Sequence, residues 1–456
     1  MKIARLSNML WVPVRTVNER KIKDAATFIT VNEFDNSETK IRLWQIAHFD
    51  DERWIGVPRM WGIKQRWFDH DLIDDTVDST ITWPDIAISS YWEGQEESID
   101  AITAKFREGS RGALLDAPCG SGKTLMSLAV AAQLHTPTLV VVHKEDLAWQ
   151  WHRTLKECFP GASVGHCQQD KWNYKDKHLV TATAQTLYAR QKTISKDFLN
   201  RFGLVIYDEG HRYSAKTFEQ TLKMFPCYRR LAVSATWRRK DGLDFIWRWH
   251  VGEVEWTTAT DRPTGEYIQV ERATVLTDRQ FTKYGRIRHT DWITAIAENQ
   301  SYNRWLCHQS VRAASKGRRI LCVSDRVQQL VDLKELLKLE APEVSVGLYC
   351  GSVGGKRMTK AQLEESKDCD IILATYGMMN EGTDIPALDT LFVCTPRADV
   401  EQVVGRIQRK KDGKKNLLVV DPVFQTPYCK ALAHKRRKIY EKLKFVGVQN
   451  GKAETK

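Results

Sequence analysis

The sequence predicts an α/β protein: two tandem lobes built on parallel sheets, preceded by a small β-rich domain over residues 1–88. Three observations predict it. Compact apolar runs alternate with amphipathic stretches from residue 89 onward. The alternation pauses over 237–290 and then resumes, and the first 88 residues hold only short strand-like runs between charged turns. Near-continuous apolar strands alternating with helices imply parallel sheets covered on both faces. A chain of 456 residues is long enough for two or three domains with large cores.

In the N-terminal region, "TFITV" and "KIRLWQIAHF" read as strands, and Trp11, Trp44, Trp54, Trp61, Trp67 and Trp83 cluster around them. Such clustering predicts a small aromatic-packed core, with base stacking by one or two exposed rings as the alternative. In the first lobe, residues 89–250, the runs "GALLDAP", "TLVVVH", "LVTATAQ", "LVIYDE" and "LAVSAT" each precede polar or helical sequence. The second lobe, with its connector, spans 251–446 and repeats the pattern with "RILCVSD", "VSVGLYC", "DIILAT", "TLFVCT" and "NLLVVD". The basic stretch "AHKRRKIYEKLK" predicts a terminal helix, and 447–456 a frayed tail.

The net charge of +12 is unevenly spread. Residues 1–93 carry 12 Lys and Arg against 15 Asp and Glu, a net of −3, whereas residues 397–456 carry 16 against 6, a net of +10. A basic excess favours a polyanionic partner. The 10 cysteines include no C-x-x-C pair and no His/Cys cluster at metal spacing, which argues against a zinc site or a disulfide framework. The N-terminus lacks an apolar segment of signal-peptide length, and no run is long enough to span a membrane. The expectation is a soluble cytoplasmic protein.

"APCGSGKT" at 117–124 follows an apolar strand and precedes the helical run "LMSLAVAAQL". That is the setting of a phosphate loop, in which backbone N–H groups and a helix N-terminus cradle anionic oxygens. Ala117, Pro118, Cys119, Gly120, Ser121 and Gly122 would form the cradle, Lys123 would neutralise the β- and γ-phosphates, and Thr124 would bind Mg²⁺. "LVIYDEGH" at 204–211 puts Asp208 and Glu209 at the C-terminal end of a buried strand, where α/β sheets bind ligands. Asp208 would hold Mg²⁺ and Glu209 would orient and deprotonate the attacking water. In "QVVGRIQR" at 402–409, helical spacing predicts that Gln402, Arg406 and Arg409 share one face. Arginines there can neutralise charge on a transferring phosphoryl group, which would couple lobe motion to hydrolysis.

Over residues 89–425 the order and spacing of these motifs resemble the superfamily 2 helicases and translocases, whose two lobes are RecA-like. Motif III is "SAT" at 234–236, motif IV lies around "ILCVSDR" at 320–326, and motif V is "ATYGMMNEGTDIP" at 374–386. "YWEGQEESI" resembles the Q motif, so the resemblance implies that Gln95 reads adenine, with Tyr91 a weaker candidate for stacking. It further implies that Gly382 and Asp384 sense the nucleotide, and that His211, Ser234 and Thr236 couple the site to lobe movement. Nucleic-acid contacts are implied for His143, Lys144, Thr183, Gln185, Arg238, Ser324, Arg326 and Thr375. Backbone gripping of this kind positions a strand without reading its sequence and predicts strong salt dependence.

"SATWRRKDGL" resembles the S-A-T-x-x-R-x-D-G-L run of DNA repair and recombination helicases, including the phage enzymes that remodel forks and migrate Holliday junctions. The departures are Gly210, where Cys or Ala is usual, and Trp237, where Pro is common. The expectation is an ATP- and Mg²⁺-dependent DNA helicase acting on branched DNA, monomeric, with no membrane partner, in which residues 1–88 select the substrate. Its rivals are a duplex DNA translocase, an RNA helicase and a nucleotide-dependent binding module whose hydrolysis is vestigial.

Overall fold

The computed structural model describes residues 3–31, 38–65, 71–87, 91, 94–118, 120–209, 215–234, 237, 242–257, 263–273, 288–380, 385–409, 411 and 413–448. The chain divides into two compact units, Met1–Thr260 and Asp261–Lys456.

The first unit centres on an eight-stranded sheet. Its spine consists of the parallel strands Leu179–Thr183, Thr138–Val142, Leu204–Asp208, Arg229–Ser234 and Gly112–Asp116, in that spatial order. Parallel neighbours require crossover connections, and helices supply them. Successive side chains alternate between the two faces, so each face has its own core. Ala113, Leu115, Val140, Ile206 and Val233 pack with Ile102, Met126, Trp151 and Leu155 of the helices Gln95–Arg107, Lys123–Gln133 and Glu145–Cys158. Leu114, Val141, Tyr207 and Ala232 pack on the other side.

That other side is covered in part by the N-terminal region. Its five-stranded sheet runs Gln45–Phe49, Glu52–Val57, Leu10–Pro13, Ile3–Leu6, Asp71–Asp74, antiparallel except for the last pair. Leu6, Leu10, Val12, Ile55 and Val57 belong to the same apolar cluster as Phe225 and Trp247 of the first lobe. Two buried guanidinium groups tie the regions together. Arg59 donates to the carbonyls of Cys227 (2.7 Å) and Tyr228 (3.0 Å). Arg230 donates to those of Asn8 (2.6 Å), Phe225 (3.0 Å) and His250 (3.1 Å). The β-rich region therefore shares its core with the first lobe. Of the clustered tryptophans, Trp11, Trp54, Trp61 and Trp83 are buried, Trp44 is half-buried under Lys23, and Trp67 lies outside the described residues.

The second unit is built on seven strands, all parallel: Val346–Tyr349, Ile371–Thr375, Ile320–Ser324, Thr390–Val393, Leu417–Phe424, Gly265–Arg272, Phe445–Gly447. The basic C-terminal stretch forms the helix Pro427–Lys442, capped by the Thr426 hydroxyl. It is more than a solvated tail, because Arg436 is fully buried against Asp421 at 2.8 Å. A buried pair of this kind is sustained only by close geometry.

Two expectations shift here. The stretch 237–290 contains regular structure: helix Phe245–His250, strand Val254–Thr257 beside Gly112–Asp116, and strand Gly265–Arg272 in the second sheet. At the other end, Phe445–Gly447 pairs with Gly265–Arg272, and residues 449–456 lie outside the described set. Among the described residues no helix is long and apolar enough to cross a membrane.

Candidate functional site: a phosphate loop and its carboxylate pair

Three adjacent strands, Leu204–Asp208, Arg229–Ser234 and Gly112–Asp116, end side by side, with Asp208 opposite Val233 and Ser234 opposite Asp116. That register brings three separated motifs together at the carboxyl edge of the sheet, where α/β folds bind ligands. The Ala117 N–H donates to the Ser234 carbonyl (3.0 Å), and the Glu209 N–H donates to that of Val233 (3.1 Å). One strand end thus anchors both the start of the phosphate loop and the catalytic candidate Glu209.

The loop turns into the helix Lys123–Gln133 through Gly122, which sits at φ 80°. Glycine is required there twice over: the left-handed backbone disfavours a side chain, and a Cβ would lie 2.3 Å from Gln95 Nε2. Gln95 is 2% exposed and donates to the Ser121 carbonyl at 2.9 Å. Its amide nitrogen thereby braces the loop, a contact the expected adenine-reading role did not include. Tyr91 lies with Trp83, Ala129, Gln133 and Phe159 around a cavity of about 220 Å³, toward the far end of that helix from Lys123. Cys119 lies outside the described residues.

Lys123 Nζ stands 3.1 Å from Glu209 Oε1 and donates to the Ala117 carbonyl at 3.4 Å. Glu209 itself has φ 49°, an uncommon conformation for a non-glycine residue and one that concentrates at functional sites. Asp208 is 6% exposed. Burial, followed by the charge of Glu209, pushes its carboxyl up to about 6, while the Trp151 hydrogen bond and Lys123 oppose the rise. The Trp151 indole N–H donates to Asp208 Oδ2 at 2.9 Å. Trp151 was not singled out from the sequence. Its spacing from Leu147, Ala148 and Leu155 reads simply as the buried stripe of an amphipathic helix.

Among the described residues no group of three or more His, Cys, Asp or Glu side chains could hold a metal alone. The donor set expected for Mg²⁺, the Thr124 hydroxyl and the Asp208 carboxylate, is hard oxygen and small in number. It fits an ion that keeps its waters and binds phosphate oxygens. His211, Thr236 and Arg238 lie outside the described residues.

The nucleic-acid candidates divide. Thr183 is the register partner of Val142, so Thr183 and Gln185 lie beside the His143–Lys144 turn. Gln185 and Lys144 are exposed, and the Thr183 hydroxyl caps the helix Ala184–Arg190. In the second unit, Ser324 is fully buried; its hydroxyl donates to Gln329 Oε1 (2.7 Å) and accepts from the Arg326 N–H (3.0 Å). It shapes the loop and presents nothing to a strand. The Arg326 guanidinium folds back onto the helix His289–Ala297, donating to Thr294 Oγ1 and the Thr290 carbonyl, both at 3.0 Å. Thr375 lies next to Ser324 in register and is half-buried.

The helix carrying Gln402 and Arg406 spans Glu401–Ile407, so Arg409 lies beyond its end. The Gln408 amide donates to the carbonyls of Pro263 (3.2 Å) and Leu443 (2.9 Å), which holds the chain in its turn. Lys414 Nζ satisfies the carbonyls of Ile407 (2.6 Å) and Arg409 (2.8 Å) that a longer helix would have used. Arg406 is 7% exposed and donates through Nε to the Met379 carbonyl at 2.7 Å. Gly382 and Asp384 lie outside the described residues.

Comparison with known proteins agrees with this geometry. Residues 90–239 match the family described as Type III restriction enzyme, res subunit. The chain is 26% identical over 408 residues to L396 of Acanthamoeba polyphaga mimivirus, named as a candidate ATP-dependent RNA helicase, covering 87% of this chain and 76% of that protein. Helicase D10 of Escherichia phage T5, also a candidate by name, is 22% identical over 377 residues, 82% of this chain and 80% of its own. Among solved structures, the ATP-dependent Type ISP restriction-modification enzyme LlaBIII bound to DNA matches at TM-score 0.55 and 16% identity, over 80% of this chain and 32% of that one. At that identity the likeness is one of fold. The loop and the carboxylate pair both fall within the matched residues 90–239, and over most of its length the chain is similar to proteins named as helicases.

Proposed function

We propose that the protein is an ATP-driven DNA helicase that translocates on forked and four-way DNA and unwinds or branch-migrates it, in recombination, repair or replication. The observation that carries the motor reading is the convergence of the phosphate loop, Asp208-Glu209 and Ser234 on three adjacent strand ends. The DNA preference rests on the "SATWRRKDGL" run.

In this reading the loop amides and Lys123 bind the β- and γ-phosphates, and Glu209 leaves its Lys123 partner to take the proton of the attacking water. Thr124 and Asp208 hold Mg²⁺, which supplies charge neutralisation on the phosphates. Arg406 and Arg409 are the arginines assigned to the γ-phosphate, where their charge would offset that of the transferring phosphoryl group. Residues 1–88 choose the DNA structure, and the protein works as a cytoplasmic monomer. An RNA substrate is the second reading, favoured by the name of the mimivirus relative.

Steady-state ATPase activity across single-stranded DNA, duplex, fork, four-way junction and single-stranded RNA, at two salt concentrations, tests both. Strongest stimulation by fork and junction is expected. Strongest stimulation by RNA overturns the substrate assignment and leaves the motor standing, whereas no stimulation by any of them removes the motor.

A further inference from the structure

A short hairpin follows the edge strand of the sheet in the second unit. That strand, Val346–Tyr349, ends with Tyr349 in register with Ala374, next to Thr375. The chain then runs out and back as two antiparallel pairs, Ser352 opposite Arg357 and Val353 opposite Lys356. Gly354 and Gly355 close it at φ 55° and 79°. Two successive left-handed residues make the type I′ turn that a two-residue loop favours, and glycine adopts it without strain.

The base of the hairpin is fixed. The Met358 N–H donates to the Gly351 carbonyl (3.1 Å), and the Cys350 thiol lies 3.5 Å from the Met358 sulfur. The Thr359 hydroxyl then caps the helix Lys360–Lys367 in a reciprocal box with Gln362. The tip is bare: both glycines are exposed, and a Cβ on either would meet nothing within 4 Å. Lys356 and Arg357 are exposed and form no ion pair among the described residues. By contrast, Lys338 and Lys367 of the same unit meet Glu335 (2.9 Å) and Glu364 (2.7 Å). As neighbours on one strand, Lys356 and Arg357 project to opposite faces of the ribbon. The result is a prong with a side-chain-free tip and one unpaired cation on each flank.

Resting on the nucleic-acid-binding reading above, we propose that this hairpin enters the major groove of duplex DNA, with Lys356 and Arg357 on the phosphates of its two walls. The dimensions fit. Three steps from Gly351 to Gly354 at about 3.3 Å each give a reach of roughly 10 Å. The groove is about 8.5 Å deep and about 12 Å wide, which admits a two-stranded ribbon. A glycine tip approaches the base edges without offering side-chain donors, so the contact holds the duplex without reading its sequence. Duplex RNA is excluded by shape, since its A-form major groove is narrow and closed to side chains. A single strand has no such groove.

The test is fluorescence anisotropy without ATP on three labelled probes of mixed sequence and equal length: duplex DNA, duplex RNA and single-stranded DNA. The double variant Lys356→Ala, Arg357→Ala should bind duplex DNA about tenfold more weakly than wild type. Its slope of log affinity on log salt should flatten by about 1.8, two phosphate contacts at about 0.9 each. Its binding to the other two probes and its basal ATPase should be unchanged, and Lys356→Arg should keep wild-type affinity. Methyl green, a major-groove ligand, should weaken wild-type binding to duplex DNA toward the level of the double variant, and netropsin, a minor-groove ligand, should not. Equal loss on all three probes would reduce the hairpin to a general patch of charge, and unchanged duplex affinity would remove it as a contact. Either overturns the proposal, as does competition by netropsin in place of methyl green. A wild type that binds duplex DNA beside an unaffected variant sinks the hairpin alone; a wild type that binds none of the probes removes the nucleic-acid reading and the hairpin with it.

Discussion

Replacing Trp151 with Phe removes one hydrogen bond and keeps most of an aromatic side chain. In the native chain the buried indole N–H donates to Asp208 Oδ2 at 2.9 Å. Hydrogen bonds to charged groups contribute about 1.5–3 kcal/mol. If that contribution serves to aim Asp208 in the transition state, its loss corresponds to roughly ten- to hundredfold in kcat, at about 1.4 kcal/mol per tenfold. The void left by the lost ring costs stability as well, by less than the about 3–5 kcal/mol of full truncation. The assay is nucleic-acid-stimulated ATPase at saturating ATP over a magnesium titration, beside a thermal melt. A purely structural role would lower Tm and leave kcat and the magnesium midpoint of the folded fraction unchanged. A positioning role lowers kcat and raises that midpoint while affinity for the strand is kept. Wild-type kcat and midpoint in a folded Trp151→Phe protein would refute the reasoning.

Three further outcomes are expected. Glu209→Gln should bind ATP and fail to hydrolyse it, whereas Lys123→Ala should lose both; a nucleotide-binding titration beside turnover separates them, and turnover by Glu209→Gln would exclude it as the base. Arg406→Ala should retain strand binding and lose hydrolysis, and normal turnover would sink its assignment to the γ-phosphate. His152, buried and beside His166, is depressed to about 4 by burial first and then by the neighbouring histidine and Lys156. Its folded value lies below the unfolded 6.5, so its neutral form stabilises the fold fully above pH 6.5 and loses that contribution as pH falls toward about 4. The loss is about 2 kcal/mol by pH 5. Urea denaturation from pH 7 to 5 should show a shallower decline in His152→Asn, and an unchanged slope would remove His152 as the cause.

Much of the architecture was legible because it is local. Apolar runs such as "LVIYDE" and "DIILAT" bury both faces wherever they sit, so they became central strands of the two parallel sheets. The phosphate loop was legible for a similar reason. Gly122 and Lys123 sit at the strand-to-helix turn their spacing implied, and Asp208 ends its strand as its apolar prefix implied. The N-terminal tryptophans also went mainly to the core, since burying rings of that size outweighs leaving them in water.

What the sequence could not determine depends on which strand lies beside which. Gln95 reaches Ser121 across 26 residues, and Trp151 reaches Asp208 across 57. Neither contact leaves a periodic trace, because each is set by strand order and register. The N-terminal region reads as a separate domain in one dimension, yet Arg59 and Arg230 draw it onto the first lobe through carbonyls far along the chain. Helical spacing predicted one helix through Arg406 and Arg409, but the helix ends at Ile407 and Lys414 donates to the carbonyls of Ile407 and Arg409 from outside it. The resemblance implied a nucleic-acid contact for Ser324, whose side chain is buried and bonded to Gln329. Residue chemistry and local periodicity were therefore determined by the sequence itself. The partners of each reactive group were decided only by tertiary structure, because a hydrogen bond depends on separations of about 3 Å that a linear pattern does not encode.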